Sequence, residues 1–274
     1  MTDPSPALDR YATGYERHWA PVLAPSVANL LDRHDPLIAG GVQEVLDVGA
    51  GTGNLALAAL RRWPAVRVTA IDASAEMLDA LVAAVRSGPA DERERLATHV
   101  ALAAELPFDD GRFDLVLSSF VLQLVPDRAA ALREIRRVLR PGGSLGYVTW
   151  IADDRAFAPD RVFDAVLAEF GFEDEPDDER TGDVPSAEVA AAELRAADFA
   201  DVAAEAAVLR HAFSVESYLS FLVDFDEEST FESMSRAERR RFLIRLREGL
   251  MALSPDDLAF TAPIVYASAR RPAD

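Results

Sequence analysis

Val45-Leu-Asp-Val-Gly-Ala-Gly-Thr-Gly-Asn54 decides how this 274-residue chain reads. The apolar run Val42 to Val48 has the short, β-branched character of a buried strand. Gly53 to Trp63 has a helical pattern closed by Pro64. The glycines at 49, 51 and 53 therefore stand at a strand-to-helix turn, where bare backbone lets a ligand approach to van der Waals distance. Downstream the alternation repeats. Val66 to Ile71 reads as a second strand, and Ser74 can cap a helix to Arg86 that Ser87-Gly88-Pro89 stops. Thr98 to Ala103 is a third strand, and Phe113 to Ser118, entered from the turn Asp109-Asp110-Gly111, a fourth. Asp127 caps a helix with the stripe Leu132, Ile135, Val138 and Leu139. Pro141-Gly142-Gly143 ends it, and Ser144 to Trp150 is a fifth strand. Strands and helices in this order predict an α/β, doubly wound, mostly parallel sheet that binds its ligand at the strands' C-terminal edge.

The flanks are helical. From Leu8 to Asp32, Tyr11, Tyr15, His18, Trp19 and Val22 share one face, so residues 1–40 are expected to form an N-terminal helical cover. Residues 151–180 hold 11 acidic and 3 basic side chains and read as a solvated loop. A helix from Ser186 to Ala197 and a strand near 202–208 follow. Residues 212–255 read as an inserted helical cap, and Phe260 to Ala269 as a last strand. The α/β domain is thus expected to comprise 41–211 and 256–274. Inside the cap, Ser235-Arg-Ala-Glu238 is a capping box ahead of the stripe Phe242, Leu246 and Leu250. The same helix carries Arg239, Arg240, Arg241, Arg245 and Arg247, expected to be a solvated basic face. Pairing with the acidic run 173–179, or with an acidic substrate, are the alternatives.

Composition excludes several chemistries. There are 28 basic against 47 acidic residues, a net charge of −19, which opposes binding to nucleic acid or anionic lipid. Every basic residue counted is Arg, so lysine Schiff bases are impossible. The absence of Cys removes disulfides, thiolate nucleophiles and thiolate metal sites. The four His lack metal-ligand spacing, and no metal is expected. The first eleven residues do not read as a signal peptide, and the most apolar window, Leu115 to Val125, is too short for a bilayer. A cytoplasmic protein acting on a small molecule is the expectation; nothing in the sequence sets its oligomeric state.

The glycine turn departs from the dinucleotide pattern GxGxxG. The third glycine comes one residue early, and Asp47 precedes the first, where its carboxylate repels a pyrophosphate. A carboxylate there suits a ligand with a cationic end, such as S-adenosylmethionine (SAM), which has an ammonium, a sulfonium and no phosphate. Asp72, 19 residues beyond Gly53, can accept hydrogen bonds from both ribose hydroxyls. A nicotinamide-dependent oxidoreductase is the weaker alternative.

With these residues in place, the chain resembles the class I SAM-dependent methyltransferases, and most of all the ubiquinone/menaquinone-biosynthesis group. The resemblance runs from Val42 to Trp150. It rests on Asp47-Val-Gly-Ala-Gly-Thr-Gly53, Ile71-Asp72, Leu106-Pro107-Phe108 with Phe113-Asp114, and Arg137-Val-Leu-Arg-Pro-Gly-Gly143. It implies a seven-stranded sheet whose last strand is antiparallel, and SAM as co-substrate. It also implies that Asp47, Gly49, Ala50 and Gly51 line the methionine end and that Asp72 holds the ribose. Ala73 and Met77 would flank the adenine, Ala103 with Ala104 would meet the adenine ring edge, and the Ser118 carbonyl would face the ammonium. Where many members carry an Asp that accepts from the adenine amino group, this chain has Leu102. That lost contact is worth on the order of 1 kcal/mol.

Methyl transfer from a sulfonium needs alignment more than acid–base machinery. Acceptor-side candidates are His211 as a base and Tyr15, His18, Trp19, Phe120, Gln123 and Trp150 as walls. His34 and His99 are expected away from the site. A SAM-binding protein without catalysis, a sensor or partner subunit, is the second functional alternative.

Overall fold

The computed structural model describes residues 12–172 and 182–273. Its strands are β1 (Glu44–Val48), β2 (Arg67–Asp72), β3 (Leu96–Val100), β4 (Phe113–Ser119), β5 (Leu139–Trp150), β6 (Ala200–Ala212) and β7 (Ala259–Arg270). They form one seven-stranded sheet in the order β3-β2-β1-β4-β5-β7-β6. The first five are parallel, and β7 runs antiparallel to both β5 and β6. The doubly wound, mostly parallel sheet expected from the alternation is therefore present.

The helices are α1 (Ala20–Asp32), α2 (Asn54–Arg62), α3 (Ala75–Arg86), α4 (Arg128–Val138), α5 (Ala158–Glu169), α6 (Ala187–Ala196), α7 (Val215–Phe221) and α8 (Arg236–Met251), with shorter turns between them. Their starts follow from side-chain caps. Ser74 accepts from the Met77 N–H, Asp127 from Ala130 and Ser186 from Val189, while Ser235 and Glu238 form the capping box. Each relieves a backbone donor that the first helical turn cannot satisfy.

Alternation within the strands separates two apolar layers. Val45, Leu115, Leu117 and Val148 face α1, α2 and the α7–α8 region, where Phe242, Leu246 and Leu250 are fully buried. Leu46, Val48, Val116 and Tyr147 face α4 and α6. Among the described residues no helix is long and apolar enough to cross a membrane.

Four local readings need correction. The third strand ends at Val100, not Ala103, because its last partner is Asp72, where β2 stops, and β3 is an edge strand. Residues 158–169, read inside a solvated loop, form α5. Its acidic residues mask an apolar stripe of Phe163, Val166 and Leu167 that packs towards α8, with the Phe163 and Phe242 rings 5.7 Å apart. β6 reaches well beyond 202–208 because β7 pairs with it from Ala200 to Ala212. β5 starts at Leu139, ahead of the Pro141-Gly142-Gly143 punctuation, tied there by the Gly142 N–H to Arg271 O at 2.9 Å. Two of the α8 arginines pair with glutamates of neighbouring helices: Arg245 with Glu169 (2.9 Å) and Arg247 with Glu216. Tyr11 and the acidic run 173–179 lie outside the described residues.

Candidate active site

The glycine turn is held from beneath by β2. The Gly49 and Ala50 N–H groups donate to the Ile71 carbonyl (2.9 and 2.8 Å). The Gly51 N–H donates to Asp72 Oδ2 at 2.8 Å, and the Ser74 N–H to Asp72 Oδ1 at 2.9 Å. One carboxylate thus fixes the turn after β1 and the start of α3 together. Gly49 has a φ of +75°, and a Cβ there would lie 2.3 Å from both Val121 γ-carbons, so the turn packs against the segment after β4. Gly51, at φ +54°, has nothing within 4 Å of where a Cβ would project: it faces open space.

Behind this turn, Asp47 is 1% exposed and neither of its carboxylate oxygens has a hydrogen-bond partner. Burial, reinforced by the nearby charge of Asp72, pushes its pKa up to about 8. A buried carboxylate without donors is costly, and a cation brought against it would lower that cost.

In front of the turn opens a cavity of about 690 Å³, within the usual range for small-molecule sites. One end is bounded by Gly49, Gly51, Asp72, Ser74, Glu76 and Met77. The other end is walled by aromatic rings. Phe120 lies 4.4 Å from Trp150, and Trp19 lies 5.7 to 6.3 Å from Phe221, Phe260 and Trp150. Phe120 takes a φ of +55°, uncommon for a bulky residue, and its N–H donates to Val148 O (2.8 Å). That turn brings its ring onto Trp150 at the sheet edge.

The structure brings Gly49, Ala50, Gly51, Asp72, Met77, Tyr15, Trp19, Gln123 and Trp150 together on this one cavity. The Gln123 amide is occupied, donating to Phe120 O (2.8 Å) and accepting from Thr149 Oγ1 (2.5 Å). Other predicted residues stand off the lining. Asp47 lies behind the turn. Ser118 is fully buried, donating to Val48 O at 2.8 Å, and Ser119 takes its place at the wall. Ala73 is exposed between Asp72 and Ser74, and Ala103 and Ala104 form a tight turn closed by the Glu105 N–H to Leu102 O (3.0 Å). Leu102 itself is exposed. His18 turns to Asp224 (3.5 Å), with burial lowering its pKa. The His211 ring packs 4.6 Å from Phe213, and burial lowers its pKa too. Away from the site, His34 is buried, its Nδ1 2.7 Å from Leu30 O, and the His99 ring stands 5.3 Å from Phe108.

Sequence reasoning missed Phe157, Phe213, Tyr218, Phe260 and the carboxylates Asp160 and Asp226, all on the cavity. Three of these signal themselves only by position: Phe157 precedes α5, Phe213 follows β6, and Phe260 opens β7. Gly182 and Asp183 close another side. Arg128 anchors them, donating to Gly182 O (2.5 Å) and, through two nitrogens, to Glu193 (2.8 and 2.9 Å). Among the described residues, no group of three or more His, Asp and Glu could hold a metal.

Comparison with known proteins agrees with this geometry. Residues 45–143 match a family described as a methyltransferase domain. A ubiquinone/menaquinone biosynthesis C-methyltransferase of Geobacter sp. strain M21 is 39% identical over 106 residues, 38% of this chain and 44% of the relative. The chain spans less than half the length of the curated relatives it matches. Among solved structures, phosphoethanolamine N-methyltransferase 2 of Haemonchus contortus, in complex with phosphomonomethylethanolamine and S-adenosylhomocysteine, covers 96% of this chain and 57% of its own at 19% identity, TM-score 0.59. The cyclase SpnF covers 89% and 82% at 22% identity, TM-score 0.51. At such identities the likeness is one of fold.

Proposed function

We propose that the protein, whose residues 45–143 match a family described as a methyltransferase domain, is a class I SAM-dependent methyltransferase that moves a methyl group from SAM to a small organic acceptor. When bound, SAM supplies a methyl group already activated on a sulfonium. The chain's own residues supply the rest. The side chain missing from Gly51 leaves room for the ligand's amino-acid end, and the Asp72 carboxylate stands where the ribose hydroxyls would donate. Glu76 and Met77 line the same end of the cavity, where they would border the base.

Asp47 is the observation that carries this reading. Its carboxyl is buried behind the turn and holds its proton up to about pH 8 in the unliganded protein; an ammonium brought near would favour its ionised form, whereas a pyrophosphate would make ionising it costlier still. That supports SAM over a nicotinamide dinucleotide. The aromatic end of the same cavity leaves room for an acceptor beyond the SAM end, which supports an enzyme over a passive SAM binder. Since the leaving group is already activated, alignment and exclusion of water carry the rate.

The test has two parts. Adenosylhomocysteine should raise the unfolding temperature, and Asp72→Ala should abolish the rise. Radiolabelled methyl from SAM should then appear in a member of an acceptor panel. No thermal shift at millimolar adenosylhomocysteine, or a comparable shift with NADH, would falsify the proposal.

A further inference from the structure

We infer that ligand binding at the glycine turn is coupled to proton release from Asp47: its carboxyl is an acid in the unliganded protein and becomes a carboxylate when the ligand's ammonium reaches the turn, so the site itself responds to pH. The inference rests on the methyltransferase reading and adds regulation to the same site.

The geometry leaves the carboxyl without a neutralising partner. Asp47 sits in β1 between Ala70 of β2 and Leu117 of β4, both fully buried. It is itself 1% exposed, and neither oxygen has a hydrogen-bond partner. Four N–H groups of the turn in front of it are already committed. Those of Gly49 and Ala50 go to Ile71 O, that of Gly51 to Asp72 Oδ2 and that of Gly53 to Ala50 O.

Charged groups on the surrounding elements do not supply a counter-charge. Asp72, at the end of β2, has the same sign, and its charge adds to burial in holding the Asp47 proton. Glu76, in the first turn of α3, is acidic as well. Arg61 and Arg62 stand in the last turn of α2, where Arg61 lies 3.5 Å from Glu92 and Arg62 pairs with Asp32 and Asp35. Arg17 and His18, ahead of α1, turn to Asp224. Asp114, at the start of β4, is held by Arg140 and by the Gln43 and Glu44 N–H groups. A buried carboxyl so placed is cheaper neutral than ionised.

Gly51 is where that balance can change. It has no side chain, and nothing lies within 4 Å of where one would project, so an ammonium can come up to the turn. An opposite charge within about 4 to 6 Å favours the ionised carboxylate, the more so in weakly polar surroundings. The Asp47 proton passes to solvent, and an ammonium–carboxylate pair replaces it. Since the unliganded protein holds that proton up to about pH 8, binding at pH 7 should release close to one proton per ligand.

Calorimetry with adenosylhomocysteine in phosphate, Hepes and imidazole buffers, whose ionisation heats differ, counts the protons without any turnover. Failure to bind overturns the methyltransferase reading, and this inference with it. Adenosylhomocysteine should release close to one proton at pH 7, and its affinity should fall about ten-fold from pH 7 to pH 6. 5′-Methylthioadenosine keeps the adenosyl group and the sulfur but has no ammonium. It should release no proton and bind equally at both pH values. Asp47→Asn imitates the protonated acid, so it should bind adenosylhomocysteine without proton release and with the same affinity at pH 6 and pH 7. Should that variant misfold, the two ligands compared on the parent protein decide the matter. Adenosylhomocysteine binding to the parent without proton release, equal release by methylthioadenosine, or undiminished release in Asp47→Asn would each overturn the coupling while leaving the methyltransferase reading in place.

Discussion

Replacing Gly51 by Ala separates the two properties that this glycine combines, a left-handed backbone and a bare surface towards the cavity. The φ of +54° makes any Cβ there strained, at about 1 to 2 kcal/mol. For a chain of this size that lowers Tm by roughly 2 to 8 °C. Since nothing lies within 4 Å of the new methyl, no clash adds to this and the protein folds. The methyl does project into the cavity that Gly51 lines. Forcing a group into a fitted site costs about 1 to 3 kcal/mol, which is roughly 5- to 150-fold in affinity for adenosylhomocysteine. Gly142 provides the control. Its φ is +77°, nothing lies within 4 Å, and it sits in the turn Pro141-Gly142-Gly143, off the cavity. Gly142→Ala should lose similar stability and no affinity. Scanning calorimetry gives the first quantity and titration calorimetry the second. Undiminished binding by Gly51→Ala, or equal loss of binding by both variants, refutes the reasoning.

Three further outcomes follow from the same geometry. Asp47 keeps its proton in the folded state up to about pH 8, against an ordinary value of 3.8. The folded state therefore holds more protons than the unfolded between those limits, and stability falls as pH rises from about 4 to about 8, by at most about 1.4 kcal/mol per unit. Urea unfolding at several pH values should show Asp47→Asn with a flatter profile, and an unchanged slope refutes the assignment. Arg128→Ala removes the contacts to Gly182 and Glu193, at about 1.5 to 3 kcal/mol. Steady-state kinetics should show a raised acceptor KM, with adenosylhomocysteine affinity by calorimetry unchanged. Trp19→Ala removes a ring shared by Trp150, Phe221 and Phe260. It should lower stability by about 3 to 5 kcal/mol and abolish most of the emission change on acceptor binding, as followed by fluorescence during urea unfolding.

What could be seen in the sequence is what local chemistry determines. Ser74, Asp127, Ser186 and Ser235 cap helices where their spacing placed them. Asp72 and the glycine turn meet as expected, because a strand, a turn and a helix confine both to one sheet edge. The acceptor wall was less accessible. Phe157, Phe213, Phe221 and Phe260 come from four separated segments, and only tertiary packing brings their rings together. A strand turns alternate side chains to opposite faces, so the Ser118 hydroxyl points to Val48 while Ser119 reaches the cavity. In α5 the acidity of 151–180 outweighed the three-to-four spacing of Phe163, Val166 and Leu167, and the helix was concealed by its solvated face.

The placement of β7 between β5 and β6 has a consequence for biosynthesis. A ribosome that has delivered everything through α8 has made a sheet ending at β5 and a thirteen-residue β6 whose only sheet neighbour is still untranslated. Both edges stay open to misassociation until residues 259–270 emerge. Phe260 arrives with them, so the aromatic end of the cavity is completed last, after the glycine turn and Asp72 are already in place.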